Sequence, residues 1–150
     1  MPFSPTSPPF APMGAPRGSL TVLLVDDEAY FRTFVGRVLK NEGIGTVLEA
    51  QNGREAVQLF QERQPNLTVM DINMPHLNGI EALKEIRRVS PFVPIIMLTS
   101  IAEEAVVEEC VQQGASYFIR KDVRADLLQE ELKEMLRQYC RVESQSDAKP

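Results

Sequence analysis

One stretch of the sequence, from Leu67 to Pro75, constrains the fold more than any other. Four apolar or β-branched residues precede Asp71, and Asn73 and Pro75 follow it. An uninterrupted apolar run that breaks into turn residues is typical of a parallel strand covered on both faces. The stretch therefore predicts a buried strand with a carboxylate at its carboxyl end, and it makes Asp71 the first candidate for a reactive group.

Four other short apolar runs accompany that strand, and a helical pattern follows each of the five. The strands are predicted at residues 22–25, 46–48, 67–70, 95–98 and 117–119. Asn52 and Glu55 form a capping-box pattern that opens the second helix, and Gly43 and Gly114 are predicted to end the first and fourth. Five strands that alternate with helices indicate an α/β fold, a doubly wound parallel sheet with right-handed crossovers.

The apolar stripes of the helices indicate which side chains should face the sheet. The fourth helix is expected to bury Val106, Val107, Cys110 and Val111, which recur at helical spacing. The last helix should do the same with Leu128, Leu132, Met135, Leu136 and Tyr139.

Composition and charge exclude several classes of partner. The 150 residues are 43% hydrophobic and carry a net charge of −5, which gives no general affinity for nucleic acid or anionic membrane. No apolar run approaches the roughly 20 residues of a membrane-spanning helix. Cys110 and Cys140 lack metal-ligand spacing and fit the reducing cytoplasm, where we expect the protein to be located.

The two ends of the chain differ from its middle. Residues 1–18 hold six of the eleven prolines and one charged side chain, Arg17. We expect an extended, poorly ordered arm of polyproline character, either a solvated tail or a docking ligand with PxxP spacing. Residues 142–150 are predicted to form a second disordered tail, so that the folded domain covers residues 19–141.

Polar side chains end four of the five predicted strands. Asp26 and Asp27 follow the first strand, Asp71 ends the third, Thr99 ends the fourth and Lys121 follows the fifth. In open parallel sheets, ligands bind beyond the carboxyl ends of the strands, where the winding reverses. These side chains are therefore expected to converge on one edge of the sheet.

Three carboxylates at one edge repel one another unless a cation compensates them. Mg²⁺ suits a site made only of oxygen ligands, with Mn²⁺ as an alternative. Asp27 and Asp71 are the expected direct ligands, with the backbone carbonyl of Asn73 as a neutral third. Asp26 is expected to act through water.

A carboxylate beside such a cation can attack a phosphoryl group to form an acyl phosphate. Phosphoryl transfer depends on positioning and charge neutralisation, which Lys121 and the Thr99 hydroxyl would supply. No glycine-rich phosphate loop is present, so a nucleotide held in a Walker-type site is not the expected donor.

These residues resemble the receiver domain of two-component response regulators, over about residues 20–140. The matching segments are Val25–Glu28, Met70–Pro75 with Asn78–Gly79, Leu98–Ser100 and Phe118–Lys121. The resemblance implies a flavodoxin-like sheet in the order 2-1-3-4-5. It also implies that Asp71 accepts the phosphoryl group from a histidine kinase or a histidine phosphotransfer protein.

The resemblance assigns further roles. Asp26 and Asp27 correspond to the acidic metal pair, Lys121 to the phosphate-binding lysine, and Thr99 and Phe118 to the switch residues. The output face would be helix 4, strand 5 and helix 5, which would contact an effector protein or a second copy of the chain. A receiver is a phosphoacceptor with at most self-catalysed phosphorylation and dephosphorylation, and it is not otherwise an enzyme.

Two positions depart from the family pattern. Many members have proline after the lysine, in a cis bond, where this chain has Asp122. A cis bond before a residue other than proline costs about 3 kcal/mol, so the loop is expected to differ. Many members also carry tyrosine at the switch position, and Phe118 lacks that hydroxyl.

Two other functions share part of this pattern. Haloacid-dehalogenase-like phosphatases also use an aspartyl nucleophile with Mg²⁺, but they need a second aspartate where this chain has Asn73. A DNA-binding regulator reduced to its receiver is the other alternative, and the tail-like end of the chain argues mildly against it. The only histidine, His76, follows Asp71 in the loop and is expected to be an exposed bystander.

Overall fold

The computed structural model describes residues 16–74, 76–100 and 103–140. The strands there are β1 (Thr21–Val25), β2 (Thr46–Ala50), β3 (Leu67–Asp71), β4 (Ile95–Thr99) and β5 (Tyr117–Arg120). The helices are α1 (Ala29–Asn41), α2 (Gly53–Arg63), α3 (Gly79–Val89), α4 (Glu104–Gln112) and α5 (Ala125–Tyr139). Residues 1–15 and 141–150, which hold most of the predicted arm and all of the predicted tail, lie outside the described part. None of the helices described has the length and apolar character that a membrane crossing needs.

The strands form one parallel sheet in the order β2-β1-β3-β4-β5, which confirms the predicted topology. The winding reverses between β1 and β3, because the chain first adds β2 on one side of β1 and then continues on the other. Val25 of β1 lies opposite Met70 of β3, and Asp71 lies opposite Leu98 of β4. This register brings the carboxyl ends of the central strands to a common edge.

Apolar helices cover both faces of the sheet, as the doubly wound prediction requires. On one face α1 and α5 contribute Val35, Leu39, Leu132 and Leu136 to a cluster with Leu24 and Val69. On the other face α2, α3 and α4 contribute Ala56, Leu83, Ile86 and Cys110 to a cluster with Leu23 and Met97. Each large apolar side chain buried in this way contributes about 1.5–3 kcal/mol. The two clusters hold the strand ends in fixed relative positions.

The buried stripe predicted for α4 is largely wrong. Cys110 is buried, but Val106 and Val107 are half-buried and Val111 is 62% exposed. α4 lies over β4 and β5 at the border of the sheet, where less of its surface can be covered than that of a helix over the centre. Helical spacing correctly identified the side of α4 that faces the sheet, but it predicted more buried residues than the structure has.

The predicted helix boundaries are confirmed where turn residues specify them. Asn52 caps α2 by accepting a hydrogen bond from the Glu55 amide at 2.8 Å, and Glu55 accepts one from the Gln51 amide at 2.6 Å. Gly43 and Gly114 follow α1 and α4 with φ angles of 96° and 102°, a conformation that favours glycine.

The chain enters the described part through a short 3₁₀ turn, Arg17–Ser19, that leads into β1. Arg17 was assigned to the arm on sequence grounds, yet it is only 4% exposed. Its Nη1 atom donates to the Glu42 carbonyl at 3.0 Å and pairs with Glu42 Oε1 at 3.2 Å. This ion pair fixes the start of the described chain against the end of α1.

Gly79 allows α3 to begin directly beneath the loop that follows β3. Its amide donates to the Ile72 carbonyl at 2.8 Å, and a Cβ at this position would lie 2.2 Å from the Asp71 carbonyl oxygen. No real Cβ contact is that short, so any side chain here would displace the backbone around Asp71.

We expect Gly79→Ala to lower the free energy of unfolding by about 1–3 kcal/mol, because the new methyl group collides with backbone atoms. Gly36→Ala is the matched control. Its Cβ would meet Leu24 at an ordinary 3.8 Å, and alanine favours a helix interior by about 1 kcal/mol. Urea denaturation of both variants measures the difference, and equal stabilities would contradict the steric argument.

Candidate functional site

The side chains that end β1, β3 and β5 meet at one edge of the sheet. Asp26 lies one residue beyond β1, Asp71 is the last residue of β3, and Lys121 lies one residue beyond β5. Backbone hydrogen bonds continue the ladder past the strands, from the Asp26 amide to the Ala50 carbonyl and from the Lys121 amide to the Thr99 carbonyl. The convergence predicted for these residues is therefore present.

Three carboxylates form the acidic side of this pocket. Asp26, Asp27 and Asp71 each place one carboxylate oxygen within 4.8 Å of the other two. Asp26 and Asp71 are buried, whereas Asp27 is exposed. The cluster thus opens towards solvent on the side of Asp27.

Lys121 forms the basic side of the pocket. Its Nζ atom lies 2.9 Å from Asp26 Oδ2, 3.0 Å from Glu28 Oε1 and 3.3 Å from Asp71 Oδ2. The same ammonium lies 4.1 Å from the centre of the Phe31 ring, a cation–π contact. Lys121 is only 6% exposed, and three carboxylates and one aromatic ring lie close to its buried charge.

The charges of the pocket shift the pKa values of its members. Burial and the neighbouring Asp26 raise the pKa of Asp71 from 3.8 to about 6, although Lys121 lowers it in part. Burial also raises the pKa of Asp26. Burial lowers the pKa of Lys121, but its hydrogen bond to Asp26 and the charge of Asp71 outweigh burial, and the pKa is raised. One ammonium does not compensate the carboxylates around it.

These residues fit a divalent cation. The donor set consists of carboxylate oxygens, which Mg²⁺ prefers, and negative charge exceeds positive charge at the site. Burial is the main cause of the raised pKa of Asp71, and the charge of Asp26 adds to it. A cation among Asp26, Asp27 and Asp71 would offset the repulsion between these carboxylates.

The remaining predicted residues differ in burial and position. Thr99 is buried at the end of β4, opposite Arg120 in the register with β5. Asn73 is exposed in the loop two residues after Asp71. Phe118 lies opposite Met97 and packs, half-buried, in the cluster beneath α2, α3 and α4. His76, predicted to be a bystander, is exposed and has a φ angle of 67°.

The loop after Lys121 departs from the cis geometry common in the resembled family. No cis peptide bond occurs in the described residues, so the bond between Lys121 and Asp122 is trans. Arg120 donates through Nε to Asp122 Oδ1 at 2.8 Å and through Nη2 to the other carboxylate oxygen. This two-pronged pair closes the turn that carries Lys121.

Sequence reasoning missed three residues that support the site. Glu28 follows Asp27 directly, and Phe31 starts the apolar stripe of α1, but neither was linked to Lys121. Arg32 donates from Nη1 to the Asp26 carbonyl at 2.7 Å and pairs with Glu49 at 3.0 Å. Helical spacing places Glu28, Phe31 and Arg32 on one side of the first turn of α1, and this was the signal available.

Comparisons with known proteins agree with this geometry. A family model described as the response regulator receiver domain matches residues 22–133. The chemotaxis protein CheY of Bacillus subtilis is 38% identical over 115 residues, which cover 77% of this chain and 96% of that protein.

Solved structures show the same similarity. The response regulator domain of Thermotoga maritima CheB superposes with a TM-score of 0.73 at 37% identity, covering 80% of this chain and 95% of that one. A CheX–CheY–BeF₃–Mg²⁺ complex from Borrelia burgdorferi matches with a TM-score of 0.72 at 26% identity, over 79% of this chain and 88% of that one.

We expect Asp71→Asn to stabilise the metal-free protein at about pH 8, by roughly 1–3 kcal/mol. The pKa of Asp71 is about 6 in the folded state against an ordinary 3.8, so its charged form opposes folding above about pH 6. The gain should shrink as the pH falls through 6 and vanish near 4, where Asp71 is neutral when folded. Urea unfolding of both chains in EDTA, from about pH 8 to pH 4, measures this difference in the free energy of unfolding.

Asp122→Asn is the control for this series. The hydrogen bond to Arg120 lowers the pKa of the exposed Asp122 carboxyl, so loss of this charge should not stabilise the protein at about pH 8. A gain for Asp71→Asn that stayed constant from about pH 8 to pH 4 would contradict the electrostatic explanation.

Proposed function

The chain belongs to the response regulator receiver family, a CheY-like group of phosphorelay proteins, and within it we propose that Asp71 accepts the phosphoryl group. The observation that carries this proposal is the meeting of the Asp71 carboxylate with Lys121 and two further aspartates at the carboxyl edge of the sheet. Asp71 ends the central strand, so the body of the domain holds it rigidly.

In the proposed reaction, a carboxylate oxygen of Asp71 attacks the phosphorus of the donor. A new oxygen–phosphorus bond forms while the bond to the donor breaks, and the bonding electrons leave with the donor. Lys121 would move from its carboxylate partners towards the phosphoryl oxygens, and Thr99 would donate its hydroxyl to another of them. Bound Mg²⁺ would supply neutralisation of the phosphoryl charge.

The proposed cation ligands are Asp27 and Asp71, with the backbone carbonyl of Asn73, while Asp26 acts through water. The mutual distances of the three carboxylates support this arrangement. The exposure of Asp27 supports it further, because a hydrated cation can enter from that side.

The proposed phosphodonor is a histidine kinase or a histidine phosphotransfer protein, and the proposed compartment is the cytoplasm. Receiver domains act with kinases and effectors, and the Borrelia burgdorferi structure contains CheY with CheX. Cys110 and Cys140 are buried free thiols, as a reducing compartment allows. Direct contact with nucleic acid or membrane is not part of the proposal.

The proposed switch links Thr99 to the surface formed by α4, β5 and α5. Phosphorylation would draw Thr99 towards the pocket, and Phe118 would turn into the space that this movement leaves. The half-burial of Phe118 and the 62% exposure of Val111 support a loosely covered region there. An effector or a second copy of the chain would contact this output surface.

Asp71→Asn should reduce covalent labelling by acetyl phosphate to background, because the acceptor oxygen is lost while the shape is kept. Asp126→Asn, at a carboxylate 70% exposed on α5, should label like the native chain. Intact-protein mass spectrometry with Mg²⁺, and with EDTA as a blank, measures the label. An Asp71→Asn chain that still carried phosphate would exclude Asp71, and turnover of p-nitrophenyl phosphate without a trapped label would favour the phosphatase alternative.

Thr99→Val should uncouple the pocket from the output surface, because valine keeps the shape of threonine but has no hydroxyl. In the native chain, beryllofluoride with Mg²⁺ should shift NMR signals in the pocket, at Phe118 and along α4. In Thr99→Val the shifts should stay in the pocket, and Thr99→Ser should restore their spread. Shifts that reached α4 equally in all three chains would contradict a switch through this hydroxyl.

A further inference from the structure

A groove lies at the edge of the sheet opposite to the phosphorylation pocket. It has a volume of about 500 Å³ and is formed by the end of α2, the residues before β3 and the turn between α3 and β4. We call it the amino-edge groove, lined by Phe60, Gln64, Pro65, Asn66, Pro91 and Phe92 among others. The proposed function does not use it.

The chemistry of this groove suits an extended, uncharged, proline-rich peptide. Its floor is apolar, since Phe60 and Val93 are buried, while Phe92 remains 56% exposed at the wall. Gln61 and Gln64 add exposed side-chain amides, and among the residues that the structure describes, none that lines the groove is charged. A polyproline helix leaves its carbonyl groups unpaired, so it binds where aromatic rings lie beside hydrogen-bond donors.

The amino-terminal segment of this chain has the matching composition. Residues 1–15 contain five prolines, two phenylalanines and no charged side chain. Proline fixes φ near −65°, so such a segment loses less conformational entropy on binding than an ordinary peptide. An uncharged segment also enters an uncharged groove without leaving an ion unpaired.

The segment is attached beside the groove. Arg17 is held by Glu42, so residue 15 connects to a fixed point at the start of β1. Asn66, which lines the groove, accepts a hydrogen bond from the Thr21 amide and donates one to the Thr21 carbonyl, both at 2.8 Å. Fifteen residues of polyproline helix span about 45 Å, far more than the few strand spacings of about 4.8 Å between these points.

We infer that residues 1–15 bind in the amino-edge groove of their own chain as an extended proline-rich strap. The tether raises the effective concentration of the segment to the millimolar range, so weak contacts suffice to fill the groove. The strap would cover Phe92 and leave the phosphorylation pocket, at the other edge, open to its donor.

A nitroxide on the segment tests this inference in the full chain. Ser7→Cys provides the attachment point, because Cys110 and Cys140 are buried and burial raises the pKa of both thiols. The label should broaden the amide signals of Gln64, Asn66 and Val93 beyond detection and leave those of Asp27 and Asp122 intact. Signals at the groove that kept full intensity would overturn the inference.

Two variants and one mixing experiment sharpen the result. Phe92→Ala should restore the lost signals, and so should replacement of Pro8 and Pro9 by glycine, which changes only the segment itself. Val111→Ala, at an exposed valine on α4, should restore nothing. In the mixing experiment, one chain carries the spin label but no isotope, and the other carries the isotope but no spin label. Broadening of the isotope-enriched chain would show that the segment of a second copy fills the groove, and it would overturn binding within one chain.

Discussion

The structure depends on the balance between one buried ammonium and the carboxylates that surround it. Lys121 bridges the ends of β1, β3 and β5 through Asp26 and Asp71, and it also reaches Glu28. Breaking a buried pair of this kind costs about 3–5 kcal/mol, yet here the acids outnumber the base. The site consequently carries an excess of negative charge that a divalent cation can offset.

The core packing and the backbone hydrogen bonds hold the charged groups of the pocket in place. The two apolar clusters fix the strands, and hydrogen bonds at Asp26, Ile72 and Lys121 carry the ladder beyond the last strand residues. Gly79 lets α3 start against the Asp71 carbonyl without a collision. The charged groups therefore have little freedom to move apart, and burial together with the neighbouring Asp26 charge raises the pKa of Asp71.

The strands and the residues at their ends could be predicted from the sequence, because parallel strands leave long apolar runs and meet at one edge. The order of the strands was implied only by the resemblance to the receiver family. The partners of Lys121 could be predicted only in part. Glu28 directly precedes α1 and Phe31 lies in its first turn, and their contact with Lys121 depends on how the start of α1 is placed relative to the end of β5, which no local pattern specifies. The exposure of Val111 escaped prediction for the same reason, since coverage by neighbouring elements is a tertiary property.

The sheet also divides the surroundings of the pocket into two compartments. Phe31, which touches the Lys121 ammonium, belongs to the cluster with α1 and α5, whereas Phe118 belongs to the cluster with α2, α3 and α4. The backbone of the sheet lies between these two clusters, so a substitution in the first cluster does not contact the second. Side chains that pack beside the Lys121 ammonium can therefore be substituted without touching the packing around Phe118, because the two sets lie on opposite faces of the sheet.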